Sequence, residues 1–373
     1  MPAKTRASTR KCRSTTKRPP RGPSAKPLRA NPFVPFLSDV RKDVDTRLAG
    51  LLDAKVDGAA EHGPEVVDMV KAFRDLCLRG GKRLRAALVV AGFRSADANA
   101  DLEPALDAAV AIELLHAYFL VHDDWMDEDD VRRGGPSVHA ALGRRFESKH
   151  LGDSSAVLAG DLGVALSMEA LSRVDVPPAR LPRVFAAFAQ MQADAVAGQQ
   201  LDITGRSGDV EKTYVLKTGS YTVAGPLRVG ALLAGGPDDL IVELERFALP
   251  AGVAFQLRDD LLSVFGDPKE TGKPFANDVR SGKRTVLVEE AFRLAKAKDK
   301  SILMKAWGNA RASQAALRAA VDVLETSGAR RAVEERIATL TARALDALRA
   351  ADLSENRHRL LIGAVEALTD RRS

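Results

Sequence analysis

Residues 108–134 read AAVAIELLHAYFLVHDDWMDEDDVRRG, and the fold is decided here. From Ala108 to Val121 the chain is largely apolar and helical in character. It then turns acidic: six of the eight residues from Asp123 to Asp130 are Asp or Glu. At about 100° per residue, Asp123 and Asp127 leave the helix on the same face, one turn apart. Two carboxylates held that way repel each other unless a cation lies between them. Hard oxygen donors in small number suit Mg²⁺, which keeps waters and takes the rest of its shell from substrate phosphate. Arg132 and Arg133 follow directly, and their planar forks match phosphate oxygens. A solvated, acid-rich helix end is the plainer alternative. It leaves unexplained why a strongly apolar helix runs into the acids and why Arg-Arg-Gly comes next.

A second acidic centre has the same build. Phe255-Gln256-Leu257-Arg258-Asp259-Asp260 follows an apolar run from Phe247 and leads to Gly272-Lys273, Asp278 and Gly282-Lys283. One Asp pair on a helix is often only a surface feature. Two such centres on separate buried helices, each followed by cations, would clamp a diphosphate through bridging Mg²⁺ if they faced each other across a bundle.

Working outward, the pattern after Pro32 is helical almost throughout. Val40, Val44, Leu48 and Leu51 define one helix face near the start, and Val333, Ile337, Leu340, Ala344 and Leu348 another near the end. Strand signals are scarce, and the breaks fall at Gly and Pro clusters such as Gly80-Gly81, Gly134-Gly135-Pro136 and Gly235-Gly236-Pro237. The expected fold is all-α, a single bundle of about ten helices over residues 33–373. Residues 1–32 read as a disordered basic tail: positions 1–31 hold ten Lys or Arg and no acid. The net charge of +6 therefore becomes −4 without the tail, so the folded part is not a basic, nucleic-acid-binding surface. No stretch approaches the roughly 18 unbroken apolar residues of a membrane span. Cys12 and Cys77 offer neither a disulfide framework nor zinc spacing. A cytoplasmic location is expected, with organelle targeting by the tail as the alternative.

Three further segments carry charge or hydroxyls. Arg79-Gly80-Gly81-Lys82-Arg83-Leu84-Arg85 is expected to open a helix, with Lys82 and Arg85 on one face. Lys217-Thr218 sets a cation beside a hydroxyl. Gly198-Gln199 and Asp202 place polar groups on a helix that otherwise reads as core.

Taken in order from about residue 70 to 290, these motifs resemble the trans-isoprenyl diphosphate synthases, the polyprenyl synthetase family. The resemblance implies an all-α bundle around a deep central cavity, a homodimer, and three Mg²⁺ ions per active site. By its motifs Lys82, Arg85, His116 and Arg133 correspond to the isopentenyl diphosphate site. Asp123, Asp127 and Asp259 correspond to direct Mg²⁺ ligands, supported by Asp124 and Asp260. Arg132, Lys217 and Lys273 correspond to ligands of the allylic diphosphate, with Thr218, Gln256 and Lys283 nearby. Where the family's second motif has a third Asp, this chain has Ser263. The implied reaction is Mg²⁺-dependent head-to-tail condensation of isopentenyl diphosphate with an allylic diphosphate. Tyr118 and Phe119, five and four residues before Asp123, match the family positions whose bulk shortens the product. The expectation is a C15 product, with C20 as the alternative. A class I terpene cyclase would not need the Gly80–Arg85 segment. A non-catalytic partner subunit is expected to have damaged acidic centres, and both centres here keep their leading Asp pairs.

Overall fold

Pro32 precedes α1 (Phe33–Ala59), which buries Val40, Val44, Leu48 and Leu52 at a constant spacing of four. Leu51, expected on this face, is only half-buried, because the strict four-residue step carries the stripe to Leu52. The computed structural model describes residues 31–205, 208–267 and 275–370. The expected basic tail, 1–32, thus lies almost wholly outside the described residues, as does Lys273.

After α2 (Pro64–Leu78) and α3 (Leu84–Ala96) comes α4 (Glu103–Met126), the centre of the molecule. Pro104 occupies its first turn, where no amide hydrogen is missed. Ile112, Leu114, Leu115 and Val121 are fully buried, against α3 on one side and α6 (Lys149–Ser172) on the other. Each such side chain contributes about 1.5–3 kcal/mol relative to leaving it in water. By length and hydropathy α4 and α6 could each cross a membrane, but 72% and 44% of their apolar windows are buried inside the fold. A short α5 (Val138–Arg145) joins them.

α7 (Leu181–Thr204) and α8 (Val210–Tyr214) lead into a π-helical run, Val215–Ala224, which passes directly into α9 (Gly225–Leu233). α10 (Asp238–Phe265) begins behind Pro237 with Asp238 and Asp239 in its first turn, where the helix dipole favours anions. Shorter helices complete the chain: α11 (Asn277–Ser281), α12 (Val286–Leu294), α13 (Ala297–Ala306), α14 (Gln314–Thr326), α15 (Ala329–Ala350) and α16 (Glu355–Thr369). The count exceeds the ten expected, because breaks such as Gly282, Ala295 and Gly308 cut the last third into short pieces. Among the described residues strand pairing is confined to one hairpin, Val131–Arg132 against Gly135–Pro136.

Two apolar cores result. The larger surrounds α4. The smaller gathers Leu287, Leu317, Leu324, Val333 and Ile337 from α12, α14 and α15. α10 belongs to both: Leu244, Phe247 and Ala251 lie in the first core, and Ala254, Leu257 and Leu261 in the second. The second acidic centre therefore stands where the two cores meet, opposite the acidic end of α4.

Candidate active site

At that junction a cavity opens between α3, α4, α7, the π-helical run and α10. Asp123 and Asp259 both line it, together with Arg85, His116, Lys217 and Gln256. The two acidic centres thus converge as expected.

At the first centre α4 ends by burying one carboxylate and presenting another. Asp124 is 0% exposed and accepts from Arg132 Nε at 2.7 Å and again from its Nη2. Arg132 reaches back because the hairpin turns at Arg133-Gly134, both with positive φ, the backbone of a tight two-residue turn. Arg133 Nη1 donates to the Gly80 carbonyl, which brings the Arg-Arg pair onto the Gly-Gly loop. Asp123 stands half-buried in the cavity. Burial pushes its carboxyl above the ordinary range, and the Lys217 charge opposes that. Asp127 is exposed, within the electrostatic reach of Lys217 and Lys283.

At the second centre Asp259 faces the cavity and Asp260 is sunk beneath it. Tyr214 Oη donates to one Asp260 oxygen, and Gln256 Nε2 donates to the other at 3.0 Å. Burial raises the Asp260 carboxyl to about 7, against the pull of Lys283. Thr218 Oγ1 donates to Gln256 Oε1 at 2.6 Å, so the π-helical run and α10 are tied together beside Asp259. Ser263 is buried, and its hydroxyl has no partner among the described residues.

The cations fall into two groups. Lys217 Nζ donates to Asp202 Oδ2 at 2.8 Å and to Gln199 Oε1. A Cβ at Gly198 would lie 2.8 Å from the Lys217 amide nitrogen, so only glycine lets α7 approach this closely. Lys283 Nζ lies 3.7 Å from the same Asp202 oxygen. Burial alone would lower the Lys283 ammonium, but Asp202 and Asp278 outweigh it and hold it protonated. The second group is carried by α3 and α4. Arg85 Nη2 donates to Thr222 Oγ1 at 2.7 Å, and the guanidinium stacks 4.7 Å from the Tyr221 ring centroid. Its Nη1 donates to His116 Nε2 at 3.2 Å, which leaves Nδ1 to carry the ring proton. Burial and the Arg85 charge push His116 well below its ordinary range, so the ring is neutral. Lys82 corrects the sequence reading: it lies in the segment before α3, which starts at Leu84, and does not share a helix face with Arg85.

Apolar groups close the cavity. Phe119 lines it and packs edge-on against Tyr221 at 4.9 Å, with Phe255 and Ala195 on the walls. Tyr118 is not on that lining; it packs against Phe119 at 4.6 Å and His122 at 4.7 Å. Sequence reasoning missed Tyr214, Tyr221 and Thr222. Tyr221 and Thr222 stand three and four residues beyond Thr218, and π-helical insertions favour functional sites, but their partner Arg85 is remote in sequence.

The donors fit Mg²⁺. The cavity offers carboxylate oxygens from both sides, and among the described residues no three His, Cys, Asp or Glu side chains converge on one point. Such an incomplete, hard donor set leaves positions for water and phosphate oxygen.

Comparisons with known proteins point to one family. The family model described as polyprenyl synthetase matches residues 67–324. The chain is 34% identical over 269 residues to a geranylgeranyl diphosphate synthase of Sulfolobus acidocaldarius, covering 70% of this chain and 78% of that protein. It is 35% identical over 261 residues to a (2E,6E)-farnesyl diphosphate synthase of Mycobacterium bovis, covering 67% and 68%. Among solved structures, geranylgeranyl pyrophosphate synthase from Corynebacterium glutamicum, complexed with isoprenyl diphosphate and magnesium, superposes with a TM-score of 0.83. That match has 34% identity and covers 91% of this chain and 99% of that one.

Proposed function

Because the chain belongs to the polyprenyl synthetase family and is a trans-prenyltransferase that condenses prenyl units head to tail, we propose that its cavity joins isopentenyl diphosphate to an allylic diphosphate and releases a C20 product. The carrying observation is the convergence of Asp123, Asp259, Lys217 and Arg85 on one cavity, with the cations in two groups. The first group, Lys217 and Lys283 with Arg132 behind Asp124, holds the allylic diphosphate. The second group, Arg85, His116 and Arg133, with Lys82 from the neighbouring segment, holds isopentenyl diphosphate. Asp123, Asp127 and Asp259 would hold the three Mg²⁺ ions. Bound there, they neutralise charge on the departing diphosphate.

The lysines and Arg132 stabilise the leaving group as the allylic C–O bond breaks. Phe119, Tyr221 and Phe255 keep water from the carbocation. The isopentenyl double bond supplies the electron pair for the new C–C bond, and one proton leaves, with the freed diphosphate as its acceptor.

The C20 reading rests on relatives: those bearing a geranylgeranyl name outnumber the farnesyl and geranylfarnesyl ones. One observation favours C15 instead, the aromatic floor of Phe119 packed on Tyr118 and Tyr221. Chromatography of the products made from dimethylallyl and geranyl diphosphate decides between them. A dominant C20 peak is expected, lengthening in Phe119→Ala. A chain of C30 or more from the wild type, or an unchanged product in the variant, would place the floor elsewhere.

A homodimer belongs to the same proposal, supported by the outward face of α6, where Leu151, Leu158 and Met168 are 49%, 58% and 39% exposed. So do a cytoplasmic location and the division into a basic tail (1–32) and a catalytic bundle (33–373).

A further inference from the structure

Lys283 enters the site from a strap, residues 282–285, between α11 and α12. No helix ladder fixes it there, yet its ammonium must stand between Asp202 and the two acidic centres. Its backbone is fixed instead on two sides, by the end of α11 and by the residues after α13. The Lys283 amide donates to the Asp278 carbonyl at 2.9 Å. The Lys283 carbonyl accepts from the indole Nε1 of Trp307 at 3.2 Å. Trp307 is the first residue after α13; partly buried, it packs against the second core, and its ring stands edge-on to Phe292 at 5.8 Å. The next residue locks the same contact: Gly308 donates its amide to the Val279 carbonyl at 2.9 Å. A Cβ at Gly282 would lie 2.7 Å from the Gly308 Cα, and both glycines have positive φ, so the two backbones meet where side chains would not fit. Beyond the strap, the Val286 amide donates to Tyr214 Oη at 3.1 Å, and that phenol holds Asp260.

We propose that Trp307 is a positioning residue for the allylic diphosphate: its indole pins the Lys283 carbonyl and thereby aims the Lys283 ammonium into the site. This rests on the reading of Lys283 as a diphosphate cation. Trp307 touches no substrate. It acts by removing the freedom of the strap before substrate arrives, and orientation errors of about 1 Å at a site can cost up to 10²-fold. The second core, which contributes few side chains to the cavity, would then act on the chemistry through this one hydrogen bond.

The test is steady-state kinetics of the full chain with each diphosphate varied in turn, on Trp307→Phe, Lys283→Ala and the double variant. Trp307→Phe keeps a ring against Phe292 and loses the donor. It is expected to raise KM for the allylic diphosphate by about three- to tenfold and to leave KM for isopentenyl diphosphate within about twofold. The double variant is expected to match Lys283→Ala alone, since the indole has nothing left to aim. Trp307→His, which retains a ring N–H, is expected to recover part of the loss and carries the test should the Phe variant unfold. Equal rises in both KM values, or full additivity in the double variant, would show a merely structural role. An allylic KM that responds to Lys283→Ala and not to Trp307→Phe would overturn the clamp alone. An allylic KM untouched by Lys283→Ala would overturn the site reading beneath it.

Discussion

At the end of α4, Asp123 faces the cavity while Asp124 is sunk beneath it; on α10, Asp259 and Asp260 divide the same way. The partners of the sunken acids differ. Asp124 is held by a cation, Arg132, whereas Asp260 is held by two neutral donors, Tyr214 and Gln256. One turn beyond its leading Asp, the first centre has a further acid, Asp127, and the second has Ser263. An Asp pair on a helix is thus one working carboxylate and one anchor. What holds the anchor determines how each centre responds to mutation and to pH.

The largest expected effects fall on the working carboxylates. Asp123→Ala and Asp259→Ala should each lower kcat by about 10²–10³-fold or more, the range for removing one preorganised electrostatic group. Circular dichroism should be unchanged, because both side chains face the cavity. Near-normal turnover in either variant would mean that only one centre handles diphosphate.

The anchors should show their difference in stability. Asp124→Ala removes the hydrogen bonds of the Arg132 guanidinium to its carboxylate and leaves it Asp129 at 3.9 Å. Breaking such a pair should cost about 3 kcal/mol in urea unfolding, the low end of the buried range because Arg132 is 23% exposed. Asp260→Ala leaves two neutral donors unpaired and should cost about 1–3 kcal/mol. A larger loss at Asp260 would reverse the comparison. The pH dependence separates the centres further. With a folded value of about 7, Asp260 lies above its unfolded range. The folded state then binds the extra proton between about pH 4 and pH 7, so metal-free stability should fall as pH rises through that window. Asp260→Asn should flatten the slope. His116 works in the opposite sense: its folded value is lowered, so its contribution is present above about pH 6.5 and lost as pH falls below it.

Much of this was legible in the sequence, and the failures have physical causes. The acidic centres could be read because each interrupts an apolar helix, and a local contrast of that kind survives folding. The helices outnumber the roughly ten expected because turns at Gly282 and Gly308 break the chain without a change of hydropathy. Lys82 was assigned to a helix face because its spacing from Arg85 looked helical, although α3 begins two residues later. The partners of the anchors, Tyr214 for Asp260 and Trp307 for the Lys283 strap, lie 46 and 24 residues from what they hold. No periodicity records contacts at that range.

The smallest expected effect tests the position where the two centres diverge. Ser263 stands where the family's motif has a third Asp, and in the first centre the corresponding turn carries Asp127. It is buried to 8% exposure, and among the described residues its hydroxyl has no hydrogen-bond partner. A buried, unsatisfied hydroxyl costs free energy and gives nothing back, so removing it should be neutral or stabilising. Ser263→Ala is therefore expected to leave kcat and both KM values within about twofold and to change unfolding stability by no more than about 1 kcal/mol, in the favourable direction. The second centre would then work with Asp259 as its one cavity-facing acid, and the asymmetry between the centres would be real in function as well as in sequence. A tenfold loss of kcat in Ser263→Ala, with stability unchanged, would mean that the hydroxyl takes a ligand during turnover and that the serine stands in for the missing carboxylate. Ser263→Asp distinguishes the cases from the other side: if the position is idle, a buried unpaired carboxylate there should destabilise the fold without raising the rate.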